Sequence, residues 1–245
     1  KIKIEFLLSP FDLESIREIK KLNLKRIKIP SGEINNLPYL KEVAKLKKEI
    51  ILSTGMSNLK EINDALKVLI KSGINKKKIT LLHCNTDYPS KFEDVNLSAM
   101  ISIRKMFNIK VGYSDHTLGI EVPIAATALG ATVIEKHFTL KKDMKGPDHN
   151  SSLEPQEFKA MVKCIKNISS SYGNGKKVPT NSEKKNIKLV RKSIFASTLI
   201  NQGDYFSEKN ITIKRPGNGL SPMMWNKLIG KKSKKKYKPD DLINF

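Results

Sequence analysis

Two short apolar runs each end in a polar cluster that contains a histidine: Val111-Gly112-Tyr113-Ser114-Asp115-His116-Thr117 and Glu135-Lys136-His137-Phe138-Thr139. Residues two apart in a strand share a face, so Ser114 points with His116 and Glu135 with His137. Two imidazoles at the ends of successive strands can converge on one metal ion, with a hydroxyl beside them for an anion. A histidine taken alone is more often a hydrogen-bonded core residue; the pairing of two strand ends favours a site. With no third protein ligand, such an ion keeps open positions and suits a Lewis acid, not a closed structural site. Lys28 supplies charge, and Ser31, Ser53 and Ser114 supply hydroxyls, for a phosphate. Each serine by itself is equally a turn or cap residue. His83 precedes Cys84 and so faces the opposite side, and both are expected to be structural. His149 falls in the loop Gly146-Pro147-Asp148-His149 and is expected to be exposed, with Asp148 able to reach a neutral polar ligand such as a sugar hydroxyl.

Those groups need strands to hold them, and the chain alternates strand-like with helix-like runs. Extended runs at 6–9, 26–29, 50–53, 79–84, 110–114 and 131–138 precede helical runs at 13–22, 37–48, 59–71, 97–106, 123–129 and 155–168. In the third helix Leu59, Ile62, Leu66, Leu69 and Ile70 keep helical spacing, and Ser57 can cap it. Six such units predict parallel strands covered by helices, either as an open doubly wound sheet or as a barrel. No G-x-G-x-x-G follows a strand, which leaves a nucleotide-binding open sheet with little support. Polar residues follow nearly every strand: Ser9; Lys28 and Ser31; Ser53 and Thr54; Asn85 and Asp87; Ser114 and His116; His137. That pattern favours an α/β fold of the TIM (β/α)8 barrel type short of its first two strands, whose C-terminal face holds the active site. The barrel domain is expected over 1–168 and a linker over 169–186, where Ser, Gly, Asn and Pro cluster. A small β-rich module, with strands at 193–196 and 211–214, is expected over 187–245; a core that small is marginal alone.

The bulk properties set limits on partners. The chain has 245 residues, 39% of them hydrophobic, and no run approaches the ~18 apolar residues that span a bilayer. It opens on lysine and a strand-like run, without a signal-peptide pattern, and so reads as an interior position of a longer protein. The formal charge of +22 comes almost wholly from lysine spread over helix surfaces. No aromatic-interleaved basic stripe accompanies it, so specific nucleic-acid binding is not expected. The run from Lys231 to Lys238 is the densest local candidate for a polyanion contact. Two cysteines, Cys84 and Cys164, outside any C-x-x-C pair, fit free thiols in a reducing cytoplasm.

Taken together, these motifs resemble the sialic acid synthases, which condense phosphoenolpyruvate with an N-acetylated amino sugar. Phe6-Leu7-Leu8-Ser9-Pro10-Phe11-Asp12 looks like that family's strand-three motif. Lys28-Ile29-Pro30-Ser31-Gly32-Glu33-Ile34-Asn35-Asn36 and Ser53-Thr54-Gly55-Met56 are similar to the next two, followed by His83-Cys84-Asn85-Thr86-Asp87-Tyr88-Pro89, the two histidine motifs and Gly146-Pro147-Asp148. The tail, Arg191-Lys192-Ser193 with Lys214-Arg215-Pro216-Gly217-Asn218-Gly219-Leu220-Ser221-Pro222, resembles the antifreeze-like (SAF) domain that ends these enzymes.

The resemblance implies that His116 and His137 are catalytic and ligate a divalent ion, Mn2+ foremost, with Mg2+ or Co2+ as alternatives. It implies that Lys28, Ser31, Ser53 and Ser114 hold phosphoenolpyruvate and that Phe11, Glu33, Tyr88 and Asp148 contact the amino sugar. Arg215 would reach the N-acetyl group across a homodimer with swapped C-terminal domains. N-acetylmannosamine is the expected acceptor, giving N-acetylneuraminate; a diacetamido sugar leading to legionaminate or pseudaminate is the alternative. The family's first two strands, with a catalytic glutamate, a phosphate-binding lysine, a glutamine and an asparagine, have no counterpart here. The resemblance therefore implies an N-terminally truncated synthase that is inactive alone, or a remnant that only dimerises or binds sugar.

Overall fold

In the computed structural model, residues 4–244 are described, and they divide into two compact units that meet between Asn174 and Gly175. The first unit alternates helices and strands. Helix α1 (Leu13–Ile19) is followed by β1 (Arg26–Ile29), α2 (Leu37–Lys45), β2 (Glu49–Ser53), α3 (Leu59–Lys71) and β3 (Ile79–Cys84). Next come α4 (Leu97–Phe107), β4 (Lys110–Asp115), α5 (Glu121–Ala128), β5 (Ile134–Lys136) and α6 (Pro155–Ser171). The five strands pair in parallel in the order β1-β2-β3-β4-β5, each with its sequence neighbour. Crossover helices between successive strands cover one face of such a sheet, and Ile27, Leu52, Leu81 and Val111 share a core with them; Lys28, Ile51, Ser53, Leu82 and Ser114, on the other face, are buried as well.

The sheet is curled, and one contact shows by how much. Strands lie about 4.8 Å apart, so in a flat sheet β1 and β5 would be separated by roughly 19 Å. Yet Lys28 on β1 reaches Glu135 on β5, with Nζ 3.3 Å from Oε1. The C-terminal strand ends are thereby gathered around one hollow.

Sequence and structure differ at several boundaries. The run 6–9 forms no strand; it lies beside β1, where the Leu8 carbonyl accepts from the Lys28 N–H. The last strand is shorter than 131–138, because the chain turns away after Lys136, and α5 begins earlier than position 123. Asn58, not Ser57, caps α3: its side chain accepts from the Lys60 and Glu61 N–H groups while Glu61 returns a bond to its own N–H. Ser57 instead donates to the Gly55 carbonyl. The stretch expected to be a linker is partly helical. Helix α6 continues to Ser171, and a seventh helix, α7 (Asn181–Val190), starts at a capping box made by Thr180 and Glu183. Small and turn residues at 169–180 masked that start signal.

In the second unit, β6 (Ser193–Ala196) pairs antiparallel with β7 (Ile211–Lys214), and a short helix α8 (Trp225–Leu228) follows. Ile194, Ile200, Phe206, Ile211, Leu228, Tyr237 and Ile243 form its own core. Among the described residues, no helix is long and apolar enough to cross a membrane.

Candidate functional site

A cleft of about 580 Å³ lies at the C-terminal ends of the five strands. Its lining brings together Phe11, Lys28, Ser31, Ser53, Tyr88, Ser114, His116 and His137, joined by Ser9, Cys84, Thr86 and Glu135. A larger hollow of about 780 Å³ lies by the first turns of α3 and α4, with His83 in its wall, but it holds none of the paired groups.

One side of the cleft offers donors to an anion. Lys28 is buried and reaches Glu135. Ser114 donates to the same Glu135 oxygen at 2.6 Å. The Ser31 hydroxyl accepts from the Gly55 N–H at 3.0 Å and lies 3.3 Å from Cys84 Sγ, tying the loops after β1 and β2 together. A Cβ on Gly55 would come within 2.7 Å of Thr86 and 2.9 Å of Ser31 Oγ, so only glycine allows this approach. The Ser53 hydroxyl is buried without a partner among the described residues. A buried orphan hydroxyl is costly, and one that faces a cleft is readily satisfied by a ligand oxygen.

The other side carries the histidines. Their ring centroids are 5.3 Å apart, and the Tyr88 ring lies 4.3 Å from that of His116 and 5.6 Å from that of His137. His116 Nδ1 is 2.6 Å from the Asn85 carbonyl, to which it donates. That bond fixes the tautomer and leaves Nε2 with a lone pair. Burial, the largest influence, pushes the His116 pKa below its ordinary value, the direction that favours the neutral ring a metal ligand needs. Asp148 Oδ2 is 3.9 Å from His137 Nδ1. The donor set therefore fits a divalent ion held by two imidazoles with positions left open; among the described residues, no cluster of three or more His, Cys, Asp or Glu surrounds such a place.

Two expected contacts of the first unit, Glu33 and Asp148, lie outside the cleft lining. Glu33 accepts from the Asn36 amide at 2.6 Å, and Arg215 belongs to the second unit, where Nε donates to the Val190 carbonyl. His149, expected to be exposed, is half-buried and lies 2.7 Å from the Thr139 hydroxyl, since the 3-10 turn at His149–Ser151 folds it inward. Cys84, expected to be only structural, lines the cleft, whereas His83 turns away and contacts the Val95 carbonyl at 2.8 Å.

Sequence alone sets Glu135 on one face with His137 but gives it no role, and it gives none to Asp115 or Lys136. Glu135 bridges Lys28 and Ser114. Behind the histidines, Asp115 and Lys136 form a fully buried ion pair. Asp115 also accepts from the Thr117 N–H and hydroxyl, and Lys136 also donates to the Thr117 carbonyl. The signal was there in the register: Ser114 opposes Glu135 and Asp115 opposes Lys136 across β4 and β5, so S-D-H and E-K-H are one cross-strand pattern.

The chain is similar to known proteins over nearly its whole length. Residues 1–177 match the NeuB family. The chain belongs to the NeuB family. Residues 191–245 of this NeuB-family chain match the SAF domain. It is 56% identical over 243 residues to N,N'-diacetyllegionaminic acid synthase of Campylobacter jejuni, covering 99% of this chain and 73% of that protein. It is 37% identical over 235 residues to pseudaminic acid synthase of the same organism, covering 96% and 68%. Among solved structures, N-acetylneuraminic acid (sialic acid) synthetase of Leptospira borgpetersenii superposes with a TM-score of 0.70 at 35% identity, over 75% of this chain and 64% of that one.

Proposed function

We propose that the chain carries the site of a synthase that condenses phosphoenolpyruvate with an N-acetylated amino sugar, giving a nine-carbon 2-keto acid and phosphate. The observation that carries this reading is one cleft with Lys28 and three serines on one side and His116 with His137 on the other. Lys28, Ser31, Ser53 and Ser114 hold the phosphoryl group, and Phe11, Tyr88 and Asp148 bind and orient the sugar. His116 and His137 would hold a divalent ion, Mn2+ foremost, which when bound polarises the aldehyde oxygen of the open-chain sugar. C3 of phosphoenolpyruvate then bonds to C1 of the sugar as the aldehyde oxygen takes a proton. Water adds at C2, and the C2–O bond to phosphate breaks. Lysine and hydroxyl donors stabilise the charge that builds on the departing phosphate.

For the acceptor we favour a diacetamido sugar of the legionaminate series over N-acetylmannosamine. The 56% identity to a diacetyllegionaminic acid synthase, against 37% to a pseudaminic acid synthase, supports it. The five curled parallel strands are read as part of a (β/α)8 barrel, and Arg215 as a contact to the N-acetyl group within a domain-swapped homodimer in the cytoplasm. The test is phosphate release from phosphoenolpyruvate with each sugar, with and without Mn2+. Metal-dependent release with a diacetamido sugar supports the reading. Metal-dependent release that prefers N-acetylmannosamine reassigns the sugar, and phosphoenolpyruvate that neither binds nor reacts sinks the reading.

A further inference from the structure

We propose that Glu135 is an internal competitor for the phosphate site, holding Lys28 and Ser114 until a phosphoryl group displaces it. The inference rests on the phosphate reading of the cleft given above. Lys28 on β1 and Ser114 on β4 both reach a single atom, Glu135 Oε1, at 3.3 Å and 2.6 Å. Both donors are buried, at 6% and 2% exposure. An ammonium withdrawn this far from water needs a counter-anion, and among the described residues Glu135 supplies the one paired with Lys28. The Ser53 hydroxyl, in the same lining, has no partner among the described residues. Of the four groups assigned to the phosphate, Lys28 and Ser114 are occupied by a carboxylate of the protein, Ser31 is engaged by Gly55 and lies beside Cys84, and Ser53 is left unpaired among the described residues.

An entering anion recovers Ser53, but it must take Lys28 and Ser114 from Glu135. The Glu135 side chain is 37% exposed, so it has room to swing towards solvent while β5 keeps its backbone in register with Ser114. A monoanion offers Lys28 no more charge than Glu135 already provides. A phosphate dianion offers twice as much and binds two or three hydroxyls at once. Glu135 thus makes entry selective for doubly charged phosphoryl groups and weakens their binding by the work of displacing it.

The test is titration of the full chain with inorganic phosphate by calorimetry, comparing wild type, Glu135→Gln and Glu135→Ala, with thermal melts as the check on folding. Removing one negative charge from within about 5 Å of the anion should tighten phosphate binding about tenfold or more. A residue that merely props the cleft open would give the opposite sign. Tighter binding by either folded variant supports the proposal, including the case in which wild type binds too weakly to measure. Wild-type binding that is matched or weakened in both variants overturns it and leaves the phosphate site standing. Absence of binding in all three proteins overturns the phosphate reading itself. Variants that both fail to fold make Glu135 a structural strut, which also overturns it.

Discussion

Ser53 and the two histidines show how burial sorts residues of ordinary type into different jobs. A hydroxyl that lacks a hydrogen-bond partner inside a protein costs about 1–3 kcal/mol, so deleting it should leave stability unchanged or slightly raised. Ser53→Ala is therefore expected to melt at or above the wild-type temperature while losing about tenfold in affinity for phosphoenolpyruvate, measured by calorimetry. A loss of both would show that the hydroxyl is a structural bond, not a vacant donor. For the histidines, His116→Ala or His137→Ala should weaken Mn2+ binding at least about 100-fold, read by the electron spin resonance of free Mn2+. Unchanged binding in both variants would remove the pair from the metal assignment. Ser53 stands among common turn residues in the sequence, and nothing local marks its hydroxyl as the unpaired one. That became visible only when β2 was packed between β1 and β3.

At the scale of elements, β4 and β5 act together. The Asp115–Lys136 pair sits on the face opposite Ser114, His116 and Glu135, and it ties the turn after β4 to β5 through Thr117. Breaking a buried ion pair from one side leaves an uncompensated charge, at a cost of about 3–5 kcal/mol. Lys136→Met should therefore shift urea unfolding strongly, and adding Asp115→Asn should recover much of the loss. If the double variant is no better than the single one, the pair is not the source of the stability. The helices follow more local rules. Asn58→Ala removes the cap of α3 and should cost about 1 kcal/mol in urea unfolding without changing phosphate binding. This cap is written in the sequence as an Asn-x-x-Glu pattern, as is the Thr-x-x-Glu box that starts α7, but Ser57 offers a competing cap beside the first and turn-forming residues precede the second.

The whole molecule is two units joined through an exposed stretch between the end of α6 and the cap of α7. Residues 172–180 lie in no helix or strand, so limited trypsin digestion should cut after Lys177 and release fragments that separate near the unit boundary at 174/175. Cleavage first within 4–170 would contradict that division. The amino-acid sequence by itself determined the alternation of strands and helices from β1 to α6, the polar residues at the strand ends and the small β pair near the C-terminus. Each of these follows from local periodicity and turn chemistry, which are written in neighbouring residues. Only the tertiary structure decided how far the sheet curls, and with it that Lys28 meets Glu135 from four strands away, that Cys84 faces the cleft, and that Glu33 does not line it. Those outcomes depend on the twist summed over five strands and on packing between distant segments, and no short window of sequence contains that sum.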